Sequence, residues 1–347
     1  MTCRVLVVRL DGAGDVLLAG PAVRAVAAAR DTEVTLLCGP AGADAGRLLP
    51  GVTDVMTWAA PWVLADPPPV VGGEVDALVR ELAARRFTEA VVLTSFHQSP
   101  LPTALVLRLA GIGRITGASV DYPGSLLDVR VRPGETLPDD IPEPERALAV
   151  VAAAGFTPAA GDHARLAVRT GVPPAPLRNG RPYVVLHPGA AADARRWPAE
   201  HHGAAVELLS ARGWRVVVTG GQGERALTAQ VAGCRGLDLG GRTSLAELAG
   251  VLHGAGAVIV GNTAAAHLAA AVGTPVVSLF APVVPAVRWR PYRVPHVLLG
   301  DQRAACRDTR ARDCPVPGHP CLAGVGPAEV VAAVERLTRP GELGVPA

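Results

Sequence analysis

The chain has 347 residues, which is enough for two α/β domains with separate hydrophobic cores. Its formal net charge of +2 gives no polyelectrolyte signature and argues against nucleic acid as a partner. All basic residues except the histidines are Arg, so Arg must serve wherever another protein uses Lys. The start of the chain lacks a signal-peptide pattern, and Gly261, Asn262, Gly273 and Pro275 interrupt the apolar span 254–287. We therefore expect a cytoplasmic protein.

The first half alternates strand and helix patterns. Residues 5–8 form a continuous apolar run, typical of a central parallel strand, and a Gly-rich loop over 11–15 precedes a helix through 21–26. Further strands are predicted at 33–37, 54–58 and 90–94, and helices at 74–86, 101–110 and 145–154. We predict a first domain over 1–172 and a Pro-rich linker over 172–182.

The second half, predicted as a domain over 183–347, restarts the alternation. Strands are predicted at 183–186, 215–219, 257–260 and 274–280, and helices at 197–212, from Arg225, from Ser244 to near Gly254, at 264–272 and at 327–337. Ser244 and Glu247 have the spacing of a capping box. The predicted fold class is α/β, with two Rossmann-like doubly wound domains facing across a cleft. Ligands of such sheets bind beyond the carboxyl ends of the strands.

The first loop is Asp11-Gly12-Ala13-Gly14-Asp15. Its pattern is not G-x-G-x-x-G, because Leu17 occupies the third glycine position, so an NAD-linked oxidoreductase or a sugar-nucleotide epimerase is disfavoured. Asp15 has two interpretations. It is either the N-cap of the following helix or a general base acting on a hydroxyl group.

Two further loops carry charged residues after strands. In the loop over 187–198, Gly189 permits close approach of a ligand, and Arg195 and Arg196 suit a diphosphate. The alternative is a solvated Arg pair ahead of a helix. In the loop over 219–225, Glu224 suits either a ribose diol or the first turn of a helix.

The most informative segment is the strand–turn–helix unit around Gly261-Asn262-Thr263-Ala264-Ala265. The N–H groups at 263–265 and the positive end of the helix dipole suit an anion such as a diphosphate. Asn262 is one of only two Asn in the chain. His267 is interpreted either as a packed residue of this helix or as a catalyst.

Two residue clusters near the C-terminus have open interpretations. The arginines form either a solvated loop face or a patch that meets an anionic acceptor or lipid headgroups. Three cysteines with His319 suit either a structural or redox-sensitive loop or a zinc site, although no C-x-x-C knuckle is present and we expect no metal. The arginine cluster comprises Arg288, Arg290, Arg293, Arg303, Arg307, Arg310 and Arg312. The cysteine cluster comprises Cys306, Cys314 and Cys321.

In chain order, these motifs resemble glycosyltransferase family 9, the ADP-heptose:lipopolysaccharide heptosyltransferase family. The residues that carry the resemblance are Asp11–Leu17, Leu186–Ala190, Arg196-Trp197-Pro198, Gly261-Asn262-Thr263 with His267, Gly273–Val277 and Leu279–Pro282, and the tail from Cys314 to Leu322. The resemblance implies a GT-B fold and metal-independent, inverting sugar transfer, with the acceptor on the N-terminal domain and the donor on the C-terminal one.

The resemblance also implies roles for individual residues. Asp15 matches the proposed general base, Arg196 the diphosphate ligand, and Glu224 the acid that holds the donor ribose. Where the family usually has Asp-Thr/Ser-Gly-Pro, this chain has Asn262-Thr263-Ala264-Ala265. The loop patterns and the resemblance together predict the site residues: Asp15 and Arg196 for catalysis, Gly189, Arg195, Glu224, Asn262, Thr263, Ala264, Ala265 and His267 for the donor, and Asp11 and Gly14 on the acceptor side.

The function predicted from this sequence is transfer of heptose or a related sugar from a nucleotide-diphosphate donor, ADP-linked in the family. The acceptor is a hydroxyl of a glycolipid, polysaccharide or small molecule. No cofactor is expected besides the donor substrate, and a monomer is expected, with association at the inner face of the membrane left open. The alternative is a nucleotide-sugar binding protein without transfer activity, because Asn262 lacks the charge of an acid.

Overall fold

The computed structural model describes residues 3–64 and 66–338. The chain divides into two compact units, Met1–Ala167 and Val168–Ala347. Within the described ranges, every helix is too short or too polar to cross a lipid bilayer.

The N-terminal unit is built on a parallel sheet with the strand order β3-β2-β1-β4-β5-β6. This is the strand order of a Rossmann fold. Its strands are β1 Cys3–Arg9, β2 Thr32–Cys38, β3 Val52–Thr57, β4 Glu89–Val92, β5 Arg114–Ala118 and β6 Val129–Val131. Its α-helices are α1 Ala13–Leu18, α2 Gly20–Ala27, α3 Ala43–Leu48, α4 Gly72–Arg85, α5 Leu101–Leu109 and α6 Glu143–Ala153.

The C-terminal unit repeats this topology. Its parallel sheet has the order β12-β11-β10-β7-β8-β9, which is the same Rossmann order read from the other edge. The strands are β7 Tyr183–His187, β8 Arg215–Val218, β9 Leu237–Asp238, β10 Val258–Gly261, β11 Val276–Leu279 and β12 His296–Leu299. The α-helices are α7 Ala199–Ala211, α8 Arg225–Ala232, α9 Leu245–His253, α10 Ala264–Ala271, α11 Ala286–Trp289, α12 Pro320–Ala323 and α13 Pro327–Thr338.

The central strands explain where the loops with chemistry lie. Val5–Val8 of β1 are fully buried, and β1 pairs with β2 on one side and β4 on the other. In the C-terminal unit β7 likewise pairs with β8 and β10. Successive strands are therefore added first on one side of β1 or β7 and then on the other. Such a switch point opens a crevice at the carboxyl ends of the strands. The loops after β1, β4, β7 and β10 lie at these two places.

Most predicted elements are confirmed, including the capping box at Ser244, whose hydroxyl accepts the Glu247 N–H. Some helix starts are wrong, and the helices predicted from residues 74 and 145 begin at Gly72 and Glu143. The first helix begins at Ala13, two residues before Asp15, and a second helix follows from Gly20. The helix predicted from Trp197 begins at Ala199, because Pro198 acts as its N-cap.

Candidate functional site

The switch point of the N-terminal sheet is organised around Arg9, the last residue of β1. Its side chain is only 4% exposed and forms ion pairs with Asp11 at 3.0 Å and Asp15 at 2.9 Å. It also donates a hydrogen bond to the Ser95 hydroxyl, 3.0 Å away in the loop after β4. Glu143, at the start of α6, lies 3.8 Å from the same guanidinium. One buried cation therefore gathers three carboxylates from separate elements.

The two aspartates of the first loop differ in environment. Asp11 accepts hydrogen bonds from the Gln98 amide at 2.7 Å and from Ser95 at 3.4 Å. Burial raises the pKa of Asp11, although the Arg9 guanidinium opposes this shift. Asp15 lies inside the first turn of α1, whose N-cap is Gly12, so the interpretation of Asp15 as an N-cap is wrong. Gly14 precedes it in the same turn.

A small cavity of about 10 Å³, the room of a single water molecule, lies beside Arg9. Its polar lining comes from Arg9, Thr94, Glu143 and Arg146. Glu143 and Arg146 are each 3% exposed, so the charged groups around Arg9 include two that are buried beneath the protein surface.

The loop after β7 is held by its own arginine. Arg196 donates from Nε and Nη2 to the Ala190 carbonyl, at 3.1 and 2.9 Å, and its Nη1 pairs with Asp193 at 2.7 Å. The Asp193 carboxylate thus occupies an anion position on Arg196. Both side chains are exposed, at 44% and 66%, so exchange of this carboxylate for another anion costs little. Trp197 anchors the end of the loop by donating its indole N–H to the Val325 carbonyl at 3.0 Å.

Gly189 and Glu224 lie in contact. A Cβ at position 189 would overlap the Glu224 carboxylate, so the glycine is required by this side chain. Glu224 also accepts the Gly221 N–H at 2.7 Å, which caps the short 3-10 helix Gln222–Glu224. His187 shares the site, with Nδ1 3.0 Å from the Thr219 hydroxyl. Burial lowers the pKa of His187, although the Glu224 charge opposes this shift.

At the end of β10, the Asn262 side chain is buried without a protein partner. The residue is 4% exposed, and neither its amide oxygen nor its amide nitrogen has a hydrogen-bond partner. The adjacent Thr263 hydroxyl is also buried without a hydrogen bond. Buried polar groups of this kind are uncommon and each costs about 1–3 kcal/mol unless something satisfies it. The Asn262 amide and the Thr263 hydroxyl are therefore available to hydrogen-bond a polar ligand.

The N-terminus of α10 adjoins this amide. Thr263 is the N-cap, and its N–H already donates to the Gly261 carbonyl at 2.9 Å. Of the N–H groups predicted to bind an anion, that of Thr263 is therefore already used. Those of Ala264 and Ala265, at the first two positions of the helix, remain for an anion. His267 is 4% exposed within the same helix. The Arg195 carbonyl faces Gly261, where an added Cβ would lie 3.0 Å away, so the β7 loop and the end of β10 meet.

The C-terminal clusters separate in the structure. Arg288 is buried at 5% exposure, whereas Arg290, Arg293, Arg303, Arg307, Arg310 and Arg312 are exposed. Among the described residues, no group of three or more His, Cys, Asp or Glu is placed to hold a metal ion. Cys306 and Cys321 are both buried. Burial, the main cause, and the nearby Cys306 thiol, the second, raise the pKa of Cys321 to about 12. Burial also lowers the pKa of His319.

Sequence reasoning missed the residues that hold Asp11 and Asp15. Arg9 carries a visible signal, because it is the one charged residue in the apolar run of residues 5–10. Ser95 and Gln98 follow β4 at the same edge of the sheet, and only the strand order brings them to Arg9. Glu143 falls in a Pro- and acid-rich stretch without any periodic signal.

Comparison with known proteins identifies the family. Residues 135–318 match glycosyltransferase family 9 (heptosyltransferase). The chain belongs to this family. It is 33% identical over 167 residues to lipopolysaccharide heptosyltransferase 3 of Escherichia coli, a match that covers 46% of this chain and 47% of the relative. The chain therefore spans about half the length of this curated relative.

Two solved structures share the fold. A family 9 glycosyl transferase from Veillonella parvula aligns over 97% of both chains, with a TM-score of 0.77 and 16% identity. An E. coli heptosyltransferase solved with ADP-2-deoxy-2-fluoro heptose aligns over 96% of this chain and 99% of its own, with a TM-score of 0.70 and 20% identity. The predicted α/β class with two Rossmann-like units of the GT-B type is confirmed.

Proposed function

We propose that this protein is an inverting glycosyltransferase that moves heptose or a related sugar from an ADP-linked donor to a hydroxyl of a lipopolysaccharide-type glycolipid. The observation that carries the proposal is the buried, unpartnered Asn262 amide beside the N-terminus of α10. An amide that offers one acceptor and two donors suits a sugar with its hydroxyls. The names of the heptosyltransferase relatives support heptose as the sugar and ADP as the nucleotide.

The donor half of the reaction belongs to the C-terminal unit. Arg196 exchanges the Asp193 carboxylate for the diphosphate and neutralises the charge that develops on the leaving ADP. The N–H groups of Ala264 and Ala265 add the positive end of the α10 dipole. Glu224 and Gly189 hold the ribose, and Arg195, Asn262, Thr263 and His267 line the sugar side. These cationic and dipolar groups can neutralise the diphosphate charge without a metal ion, so we propose metal-independent transfer.

The acceptor half belongs to the N-terminal unit. Asp15 accepts the proton of the acceptor hydroxyl as its oxygen attacks the anomeric carbon, and the bond from that carbon to the ADP oxygen breaks. Attack from the face opposite the leaving group inverts the anomeric centre. Asp11 and Gly14 shape the acceptor side of the loop.

A transfer assay tests the proposal. The purified protein is incubated with ADP-, GDP- and UDP-linked sugars and a lipopolysaccharide core glycolipid, with and without EDTA, and the products are analysed by mass spectrometry. We expect a glycolipid heavier by one heptose from the ADP-linked donor only, and an unchanged rate in EDTA. Loss of transfer in EDTA would contradict metal independence.

A second candidate is a nucleotide-sugar binding protein without transfer activity. The neutral Asn262 side chain and the engagement of Arg196 by Ala190 and Asp193 favour it. Isothermal titration separates the two candidates. ADP binding without sugar release or transfer from any donor would support the binding protein, and absence of ADP binding would contradict both.

A further inference from the structure

Arg9 is a buried cation whose contacts lead to the acceptor-side carboxylate. We propose that Arg9 is a positioning residue, which fixes the Asp15 carboxylate in the orientation needed to receive the acceptor proton. The inference rests on the proposed function, because that function assigns the proton transfer to Asp15. In this role Arg9 acts through Asp15 and not by binding a substrate.

The contacts of Arg9 form a rigid frame. Nε faces Asp11 at 3.0 Å, while Nη2 reaches both Asp15 at 2.9 Å and the Ser95 hydroxyl at 3.0 Å. Ser95 and Gln98 in turn hold Asp11. A side chain that is 4% exposed has few alternative rotamers, because the surrounding groups are close-packed. The position of Arg9 is therefore set by β1 and by the loop after β4.

Only Asp15 reaches outward from this frame. Its side chain is 26% exposed, compared with 11% for Asp11 and 2% for Glu143. Asp11 and Glu143 supply the negative charge that a buried guanidinium needs. Of the three carboxylates, Asp15 is the one that an acceptor can approach most easily. Its ion pair with Arg9 ties it to the fixed interior of the unit.

The geometry requires a guanidinium in particular. Its planar group lets Nη2 donate to both Asp15 and Ser95 while Nε lies beside the Asp11 carboxylate, whereas an ammonium group is a single point charge. A Lys at position 9 keeps the charge but loses one of these directions. The variant Arg9→Lys therefore separates the charge of Arg9 from its geometry.

A double-mutant cycle tests the role of Arg9. We expect Arg9→Lys to lower kcat by about 100-fold, the loss typical of a misplaced reacting group, with the KM for the donor unchanged. In an Asp15→Asn background the same substitution should cost nothing further, because the contact acts through Asp15. Equal losses of kcat in both backgrounds would overturn the inference and indicate a purely structural role.

The matched control is Arg24→Lys in the same unit. Arg24 forms a bidentate ion pair with Asp162, at 2.8 and 3.0 Å. The substitution Arg24→Lys should therefore lower the free energy of unfolding without changing kcat. Crystal structures of the wild type and Arg9→Lys give a readout that needs no transfer activity. A displaced Asp15 carboxylate in the variant supports the inference, and an unmoved one overturns it. A wild type without any transfer would refute the proposed function alone.

Discussion

At the scale of single residues, Asp11 and Asp15 show how one loop divides two tasks between identical side chains. Asp11 is buried, accepts hydrogen bonds from Gln98 and Ser95 and forms an ion pair with Arg9, so it serves as an interior counter-charge. Asp15 is more exposed and sits within the first turn of α1, where the helix dipole favours a negative charge. The more accessible carboxylate is the better acceptor of a substrate proton.

Substitution of Asp15 should therefore affect the chemical step. We expect Asp15→Asn to lower kcat by about 10²- to 10⁴-fold, the range of general base catalysis, and to leave ADP affinity unchanged. Asp11→Asn should instead lower the free energy of unfolding, because Arg9 loses a charged partner. Steady-state transfer rates, isothermal titration with ADP and urea unfolding measure the three quantities. Transfer by Asp15→Asn at the wild-type rate would refute its assignment as the base.

Gly189 offers a second prediction at this scale. A methyl group at this position must push the Glu224 carboxylate away and break its hydrogen bond with the Gly221 N–H. We expect Gly189→Ala to weaken ADP binding by roughly tenfold, the loss of one charged hydrogen bond. Glu224→Ala should have the same effect, and the two substitutions together should not add, because both remove the same contact.

The control for this prediction lies in the same unit. Gly203 is within α7 and has nothing within 4 Å of an added Cβ. Gly203→Ala should raise stability by about 0.5–1 kcal/mol, since Ala favours a helix, and leave ADP affinity unchanged. Isothermal titration of ADP into the four variants, namely Gly189→Ala, Glu224→Ala, their combination and Gly203→Ala, measures these effects. Additive losses in the double variant would argue against a shared contact.

At the scale of elements, strand length decided what the sequence could predict. Buried strands such as β1 and β7 are continuous apolar runs and were predicted within one or two residues. The strands β6 and β9 have only three and two residues, too few for any periodicity, and β5 contains Gly117. The predicted run over residues 5–8 stops one residue before Arg9, so the sequence pattern did not assign Arg9 to the strand or to the site.

Helix α7 carries a buried histidine that makes stability depend on pH. His202 is 1% exposed and packs edge-on against Trp197, with ring centroids 4.7 Å apart. Burial, with smaller contributions from His187 and His201, lowers the pKa of His202 from 6.5 to about 3. The unfolded chain therefore binds more protons than the folded one between these values, and stability falls as the pH drops below 6.5.

This effect is measurable by unfolding in urea at two pH values. Between pH 7.5 and pH 5 the wild type should lose about 2 kcal/mol through His202 alone, at about 1.4 kcal/mol per pH unit below the unfolded pKa. The variant His202→Leu lacks the titrating group and should lose correspondingly less. His253→Gln, at an exposed position, serves as the control and should behave as the wild type does. An equal loss in His202→Leu would show that other groups cause the acid sensitivity.

At the scale of the whole molecule, two sheets of the same strand order carry different chemistry at equivalent places. The switch point beside β1 holds a cation surrounded by carboxylates, and the one beside β7 holds an unpartnered amide, a helix N-terminus and an exchangeable Arg196 ion pair. The loops were predictable because functional loops follow strand ends. The contact of Arg9 with Ser95, 86 positions away, was not, because it depends on β1 and β4 being neighbours.

The difference between the two switch points predicts where a nucleotide binds. On the proposed function, we expect ADP to bind the C-terminal unit at the loops after β7 and β10, where Arg196 and the N–H groups of Ala264 and Ala265 lie. Hydrogen exchange followed by mass spectrometry should therefore slow on ADP addition in peptides that span residues 187–197 and 261–268. Peptides from β1 and α1 should exchange at the same rate with and without ADP.

The control variant for this experiment is Asn262→Ala. It removes the unpartnered amide, so ADP should protect the loop after β7 as before, through the diphosphate, while a sugar-bearing donor should lose the extra protection that it gives the wild type. The comparison of ADP with an ADP-linked sugar thus separates recognition of the diphosphate from recognition of the sugar. Protection by ADP confined to residues 9–15 would place the nucleotide in the N-terminal unit and reverse the assignment of the two sheets.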